Sequence, residues 1–120
     1  MNIPFSPPDI TEEEIEAVAE VMRSGWITTG PKTKELERKM AEFTHTNRGV
    51  CLNSATSCME MALRLFEIGP GDEVIVPAYT YTASASVVCH VGATLRLVDV
   101  EKGTFHIDYA AVESMINENT

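Results

Sequence analysis

Three places in this chain hold residues whose types and spacing can do chemistry. The first is a junction, where Gly49-Val50-Cys51-Leu52-Asn53 runs straight into Ser54-Ala55-Thr56-Ser57. An apolar strand that empties into small hydroxyl residues at a helix start leaves backbone N–H groups without partners. With the positive end of the helix dipole behind them, such groups can seat a phosphate. The same residues also read as a plain N-cap, since Ser and Thr are common caps. Both readings stand on these residues alone.

The second place is Pro77-Ala78-Tyr79-Thr80-Tyr81, directly after the apolar run Val74-Ile75-Val76. In open α/β sheets, ligands lie beyond the carboxyl ends of strands, and an aromatic there can stack on a planar ring. The alternative is that Tyr79 and Tyr81 pack over the sheet edge. The third place is Gly25-Trp26-Ile27-Thr28-Thr29-Gly30-Pro31. Its indole either anchors the loop or covers a sugar face, with the Thr28 and Thr29 hydroxyls supplying hydrogen bonds to a polyhydroxylated ligand.

The elements that must position these places follow from local signals. The Pro4, Pro7 and Pro8 segment is extended, because proline fixes φ and disfavours helix in the residue before it. Thr11 with Glu14 forms a capping box that starts a helix, striped by Ile15, Val18, Ala19 and Met22 and ended at Ser24-Gly25. Pro31 opens a second helix with the stripe Leu36, Met40 and Phe43. A strand is expected over 49–53, then a helix from about Thr56 to Ile68. Apolar residues on several faces of that helix predict burial on more than one side. A turn at Gly69-Pro70-Gly71-Asp72 leads to a strand at Glu73–Pro77, a small-residue helix from Thr82 to Val91 and a strand from Thr94 to Val100. Asp108 caps a last helix bearing Ala111, Val112, Met115 and Ile116. Strands alternating with helices predict an α/β layer fold with mainly parallel pairing.

Composition excludes several function classes. The net charge of −9 argues against nucleic acid or an anionic membrane as partner. Much of that charge lies on Glu12, Glu13, Glu14, Glu16 and Glu20, which read as a solvated helix face. No apolar run approaches a membrane span, and no signal-peptide pattern opens the chain. Cys51, Cys58 and Cys89 lack CxxC spacing and are expected as reduced, buried thiols of a cytoplasmic protein. His45, His90 and His106 show no metal-ligand spacing, so no metal site is expected. The chain carries neither GxxxxGK[ST] nor GxGxxG, so the junction is neither a nucleotide P-loop nor a dinucleotide fingerprint.

The ordered set of Gly25-Trp26-Ile27-Thr28-Thr29-Gly30-Pro31, Leu52-Asn53-Ser54-Ala55-Thr56, Gly69-Pro70-Gly71-Asp72 and Pro77-Ala78-Tyr79-Thr80-Tyr81 carries a resemblance. Val98-Asp99-Val100, Thr104 and Ile107-Asp108 extend it. Together they resemble the N-terminal portion of the DegT/DnrJ/EryC1/StrS family of sugar aminotransferases. The resemblance covers essentially the whole chain. It implies part of the large domain of a pyridoxal-phosphate-dependent fold type I transferase, a three-layer α/β/α arrangement on a mostly parallel sheet. Residues 1–48 would be the N-terminal helices and substrate loop, and 49–120 the start of the cofactor-binding domain.

The same resemblance implies roles. Ser54, Ala55, Thr56 and Ser57 would hold the phosphate of pyridoxal 5′-phosphate, and Tyr81 would stack on its ring. Trp26, Thr28 and Thr29 would line the pocket for a nucleotide-sugar substrate, aminated with an amino acid donor. The intact enzyme would be a homodimer. Transamination needs a lysine and an acidic partner for the pyridine nitrogen. Lys32, Lys34, Lys39 and Lys102 do not fit the family's Ser-x-x-His-x-x-Lys pattern, and no catalytic residue is assigned. The chain alone is therefore expected to be inactive. Two alternatives stay open: a sugar dehydratase of the same fold, and a non-catalytic binding or dimerising module.

Overall fold

Short-range capping decides where this backbone becomes helical. Thr11 Oγ1 accepts the Glu13 N–H at 3.2 Å, and the Glu14 carboxylate accepts the Thr11 N–H at 2.7 Å. Helix α1 (Glu12–Ser24) begins there and ends at Gly25, whose φ of 72° lies in the left-handed region that favours glycine. Pro31 occupies the first turn of α2 (Pro31–Phe43). The computed structural model describes residues 3–120, and the chain divides into two compact units, Met1–Cys51 and Leu52–Thr120. Both helices lie in the first unit. Their stripes remain open: Val18 is 60% exposed and Phe43 80%.

The second unit is built on α3 (Ala55–Leu65), β1 (Glu73–Pro77), α4 (Ala83–His90), β2 (Thr94–Val98) and α5 (Tyr109–Met115). Strands β1 and β2 pair in parallel, in a register running from Glu73 opposite Thr94 to Pro77 opposite Val98. A parallel pair needs a crossover, and α4 supplies it. That role makes α4 the buried helix, with Val87 and Val88 almost fully enclosed. The core is Val76, Val88, Val91 and Ala93, with Leu63, Ile68, Val74, Ala85 and Leu95 packed against it. The arrangement is part of an α/β domain, with two parallel strands among the described residues.

Several expectations are corrected. Residues 49–53 run as irregular backbone, not as a strand. An extended segment becomes a strand only when a neighbour takes its ladder hydrogen bonds. Here β1 and β2 take each other's, and the Cys51 N–H goes to the Glu37 carboxylate at 2.9 Å instead. Strand β2 stops at Val98, and Val100 bridges antiparallel to Ile107. Helix α3 ends at Leu65 and has no buried residue, so it is not enclosed on several sides. Its contact is with α4, and Leu65 and Phe66 stay largely exposed. The thiols are free but not buried: Cys58 and Cys89 are exposed and Cys51 is half-buried.

Candidate functional site

The junction at α3 is built from a chain of hydroxyl hydrogen bonds. Ser54 is the N-cap, extended at φ −161° and ψ 157°, and its Oγ accepts the Ser57 N–H at 3.1 Å. Its own hydroxyl donates to Ser57 Oγ at 3.0 Å, and Ser57 Oγ donates to Asn53 Oδ1 at 2.7 Å. Both serine protons are therefore spent inside the cap. The Cys58 N–H bonds to the Ser54 carbonyl at 3.1 Å, as a helix interior requires. What remains is the N–H pair of Ala55 and Thr56 and the Thr56 hydroxyl, none with a partner among the described residues. No acidic side chain occupies the first turn of α3, so no carboxylate of its own first turn offsets the positive end of its dipole. The first turn of α1, by contrast, already holds Glu12, Glu13 and Glu14. Of the four junction residues, the backbone of Ala55 and Thr56 with the Thr56 hydroxyl is equipped to meet an anion. Ser54 and Ser57 are equipped to hold the turn.

Past the end of β1 the two tyrosines take different roles. The Ala78 N–H bonds to the Val98 carbonyl at 2.8 Å, which ties the start of this turn to the end of β2. Tyr79 stacks on Phe105, with ring centroids 4.8 Å apart and planes 26° from parallel. Tyr81 meets no other aromatic ring among the described residues and is 82% exposed. Its carbonyl accepts the Ser84 N–H at 3.0 Å, which holds its backbone against the first turn of α4. One tyrosine is thus bound to the protein, and the other has its ring open. Ser54 and Tyr81 stand at the N-terminal ends of α3 and α4, two helices that pack on each other.

The loop between α1 and α2 folds around its indole. Trp26 Nε1–H donates to the Thr29 carbonyl at 3.0 Å, and the Trp26 N–H donates to Ser24 Oγ at 3.1 Å. A methyl group on Gly30 would lie 2.1 Å from Trp26 Cδ1, so glycine is required there. Trp26 is an anchor by this geometry, yet it remains 56% exposed. It lines a concavity of about 470 Å³ with Glu20, Ser24, Ile27, Thr28 and Lys32. Thr28 is on that lining, whereas Thr29 serves through its backbone carbonyl.

Sequence reasoning missed three contributors. Asn53 was read only as a strand end, although an Asn directly before a Ser cap is a local signal for hydrogen bonding. Phe105 had no local signal, because its partner lies 26 positions earlier in the chain. Glu60 is the third: it pairs with Arg64 at 2.7 Å on its own helix and with His90 Nδ1 at 3.0 Å across to α4. The Arg64 guanidinium first, and His90 second, hold the Glu60 carboxyl below its ordinary value of 4.5. Among the described residues, no three His, Cys, Asp or Glu side chains gather as metal ligands, and no helix is long and apolar enough to cross a membrane.

Comparison with known proteins brings this geometry into a wider frame. The profile of the DegT/DnrJ/EryC1/StrS aminotransferase family matches residues 8–120. A UDP-4-amino-4-deoxy-L-arabinose–oxoglutarate aminotransferase of Shewanella sediminis is 43% identical over 118 residues, covering 98% of this chain and 30% of that protein. A solved Streptococcus pneumoniae protein assigned as a sugar aminotransferase is 62% identical, with a TM-score of 0.90 over 100% of this chain. Structures of that protein include forms with pyridoxamine phosphate and pyridoxal phosphate. DesV of S. venezuelae is 38% identical with a TM-score of 0.81, covering 91% of this chain and 29% of that one. The chain thus spans about 30% of the length of the relatives it matches.

Proposed function

Because the chain belongs to the DegT/DnrJ/EryC1/StrS aminotransferase family, we propose that it is the opening part of an enzyme that aminates a nucleotide-linked keto sugar. The amino group would come from an amino acid, and pyridoxal 5′-phosphate would be the cofactor. The Shewanella relative, whose name joins a UDP-linked amino sugar to oxoglutarate, supports this substrate class and a glutamate donor. In this reading residues 1–48 carry the substrate loop and 49–120 begin the cofactor-binding domain. The intact enzyme is a cytoplasmic homodimer.

The observation that carries the reading is the α3 N-terminus. Two adjacent N–H groups and one hydroxyl, on Ala55 and Thr56, have no partner among the described residues, and the first turn holds no acidic side chain. That donor set suits a phosphate dianion, whose oxygens only accept. The open ring of Tyr81 suits a flat heteroaromatic ring of the same ligand. The residues present therefore fit the cofactor.

When bound, the cofactor supplies an electron sink for the carbon that loses or gains a proton. The chain's own residues bind and orient. Ala55 and Thr56 fix the phosphate end, and Ser54, Ser57 and Asn53 hold those two N–H groups in register. Tyr81 would offer its open ring to the flat part of the cofactor. Trp26 and Thr28 border the concavity that would receive the sugar, with the indole as an apolar wall. Lys32 and Lys39 are engaged with Glu20 and Glu35 on the surface, and Lys34 and Lys102 are exposed. None is placed as the nucleophile, so the 120 residues alone are inactive in this reading.

The test is made on the protein at its full natural length. Apo protein is titrated with pyridoxal 5′-phosphate, then given glutamate and a UDP-linked keto sugar, and the amino sugar is detected by mass. Uptake of the cofactor and formation of an amine are expected. Failure to take up the cofactor would overturn the reading.

A further inference from the structure

The stack between Tyr79 and Phe105 joins the turn after β1 to the turn that follows β2. Phe105 is carried on a stapled turn and not on slack chain. The Glu101 N–H bonds to the His106 carbonyl at 2.9 Å, the Thr104 N–H to the Glu101 carbonyl at 3.0 Å, and Val100 bridges to Ile107. The His106 N–H adds a bond to Thr104 Oγ1 at 3.1 Å. On the other side, the turn after β1 is held at its start by Ala78 on Val98 and at its end by Tyr81 and Thr80 on Ser84. Between those ties, the Tyr79 side chain is fixed by Phe105 alone among aromatic partners.

Tyr79 and Tyr81 lie two positions apart on one turn. With Tyr79 stacked on Phe105, that turn has fewer conformations open to it before any ligand arrives. Ordering a segment in advance lowers the entropy cost of binding. We propose that Phe105 is a positioning residue: it captures Tyr79 and so leaves Tyr81 as the ring offered to the flat heteroaromatic part of the cofactor. The inference rests on the cofactor reading of Tyr81.

The protein at full natural length is used, with Phe105→Leu removing the flat ring but keeping apolar bulk, and Phe105→Tyr restoring it. Affinity for pyridoxal 5′-phosphate is read by absorbance titration of apo protein, and ring orientation by induced circular dichroism in the cofactor band. Phe105→Leu is expected to weaken binding by about three- to tenfold, the worth of one aromatic pair, and to reduce the induced signal. Phe105→Tyr restores both. In a Tyr81→Ala background, Phe105→Leu causes no further loss, because the two act through one ring. Phe105 is 75% exposed, so folding tolerates the change. Unchanged affinity and dichroism in Phe105→Leu would overturn the inference, even if the melting temperature fell. So would an equal loss in the Tyr81→Ala background. A wild-type protein that takes up no cofactor overturns the reading of Tyr81 itself, and this inference with it.

Discussion

Trp26 Nε1–H donates to the Thr29 carbonyl at 3.0 Å, and the space this requires is the missing side chain of Gly30. The loop from Gly25 to Pro31 is therefore closed on its own indole. Its hydroxyl residues divide accordingly, Thr28 toward the concavity and Thr29 into the closure.

Gly30→Ala should break that closure. The new methyl would meet Trp26 Cδ1 at 2.1 Å, so the indole must swing out and lose its carbonyl partner. A cost of about 1–3 kcal/mol is expected, as for other overpacked sites. Trp26 is the single tryptophan among these 120 residues, so comparison with a Trp26→Phe control isolates its fluorescence. A red shift with a lower urea midpoint is the expected result, and an unchanged spectrum would show that the loop does not depend on Gly30.

The hydroxyl chain at α3 separates Thr56 from Ser57. Thr56→Val removes a free donor, and a hydrogen bond to a charged group is worth about 1.5–3 kcal/mol, so binding of pyridoxal 5′-phosphate should weaken by about 10- to 100-fold. Ser57→Ala removes a hydroxyl whose proton is already given to Asn53. Its effect on binding should be distinctly smaller. Equal losses in the two variants would show that Ser57 also reaches the ligand.

Ser54→Ala tests the cap as structure. The Ser57 N–H loses its acceptor, and the loss of such a cap costs about 1 kcal/mol. Chemical denaturation should register that cost, and Ser54→Asp should restore stability by replacing the acceptor.

Acid pH should loosen the contact between α3 and α4. Arg64 and His90 hold the Glu60 carboxyl below its ordinary value of 4.5, so the unfolded chain takes up this proton first as pH falls. The stabilisation is complete above the unfolded value and is lost as pH drops from about there through the lower folded value. Glu60→Gln should therefore flatten the dependence of the melting temperature on pH below 4.5. The side chain is partly exposed to solvent, so the change is small and shrinks further in high salt. An identical acid limb in both proteins would mean that other carboxylates set it.

What was legible in the sequence and what was not divide along one physical line. Thr11 with Glu14, Gly25, Pro31, Ser54 and Asp108 all act within three or four residues of themselves. Their hydrogen bonds and φ preferences need no distant partner, and so they mark the helix ends to within a residue in the sequence itself. The β1–α4–β2 unit was legible for a related reason, since short apolar runs on either side of a small-residue helix leave a parallel pairing as the simple solution. The family was also legible, because its motifs are local words in a fixed order.

The rest depends on partners far along the chain. Residues 49–53 have the composition of a strand, but strand formation needs a neighbour's backbone, and the described residues offer none. The burial of α3 and of the thiols depends on which surfaces cover them, and periodicity does not name a cover. Tyr79 and Tyr81 are nearly equivalent in sequence. The family resemblance alone singles out Tyr81, and the fold adds the stack of Phe105 on Tyr79 while the Tyr81 ring stays exposed. Local sequence determined the parts that cap, turn and donate. The tertiary structure decided which of them are already satisfied, because a hydrogen bond or a ring face used within the protein is no longer free for a ligand.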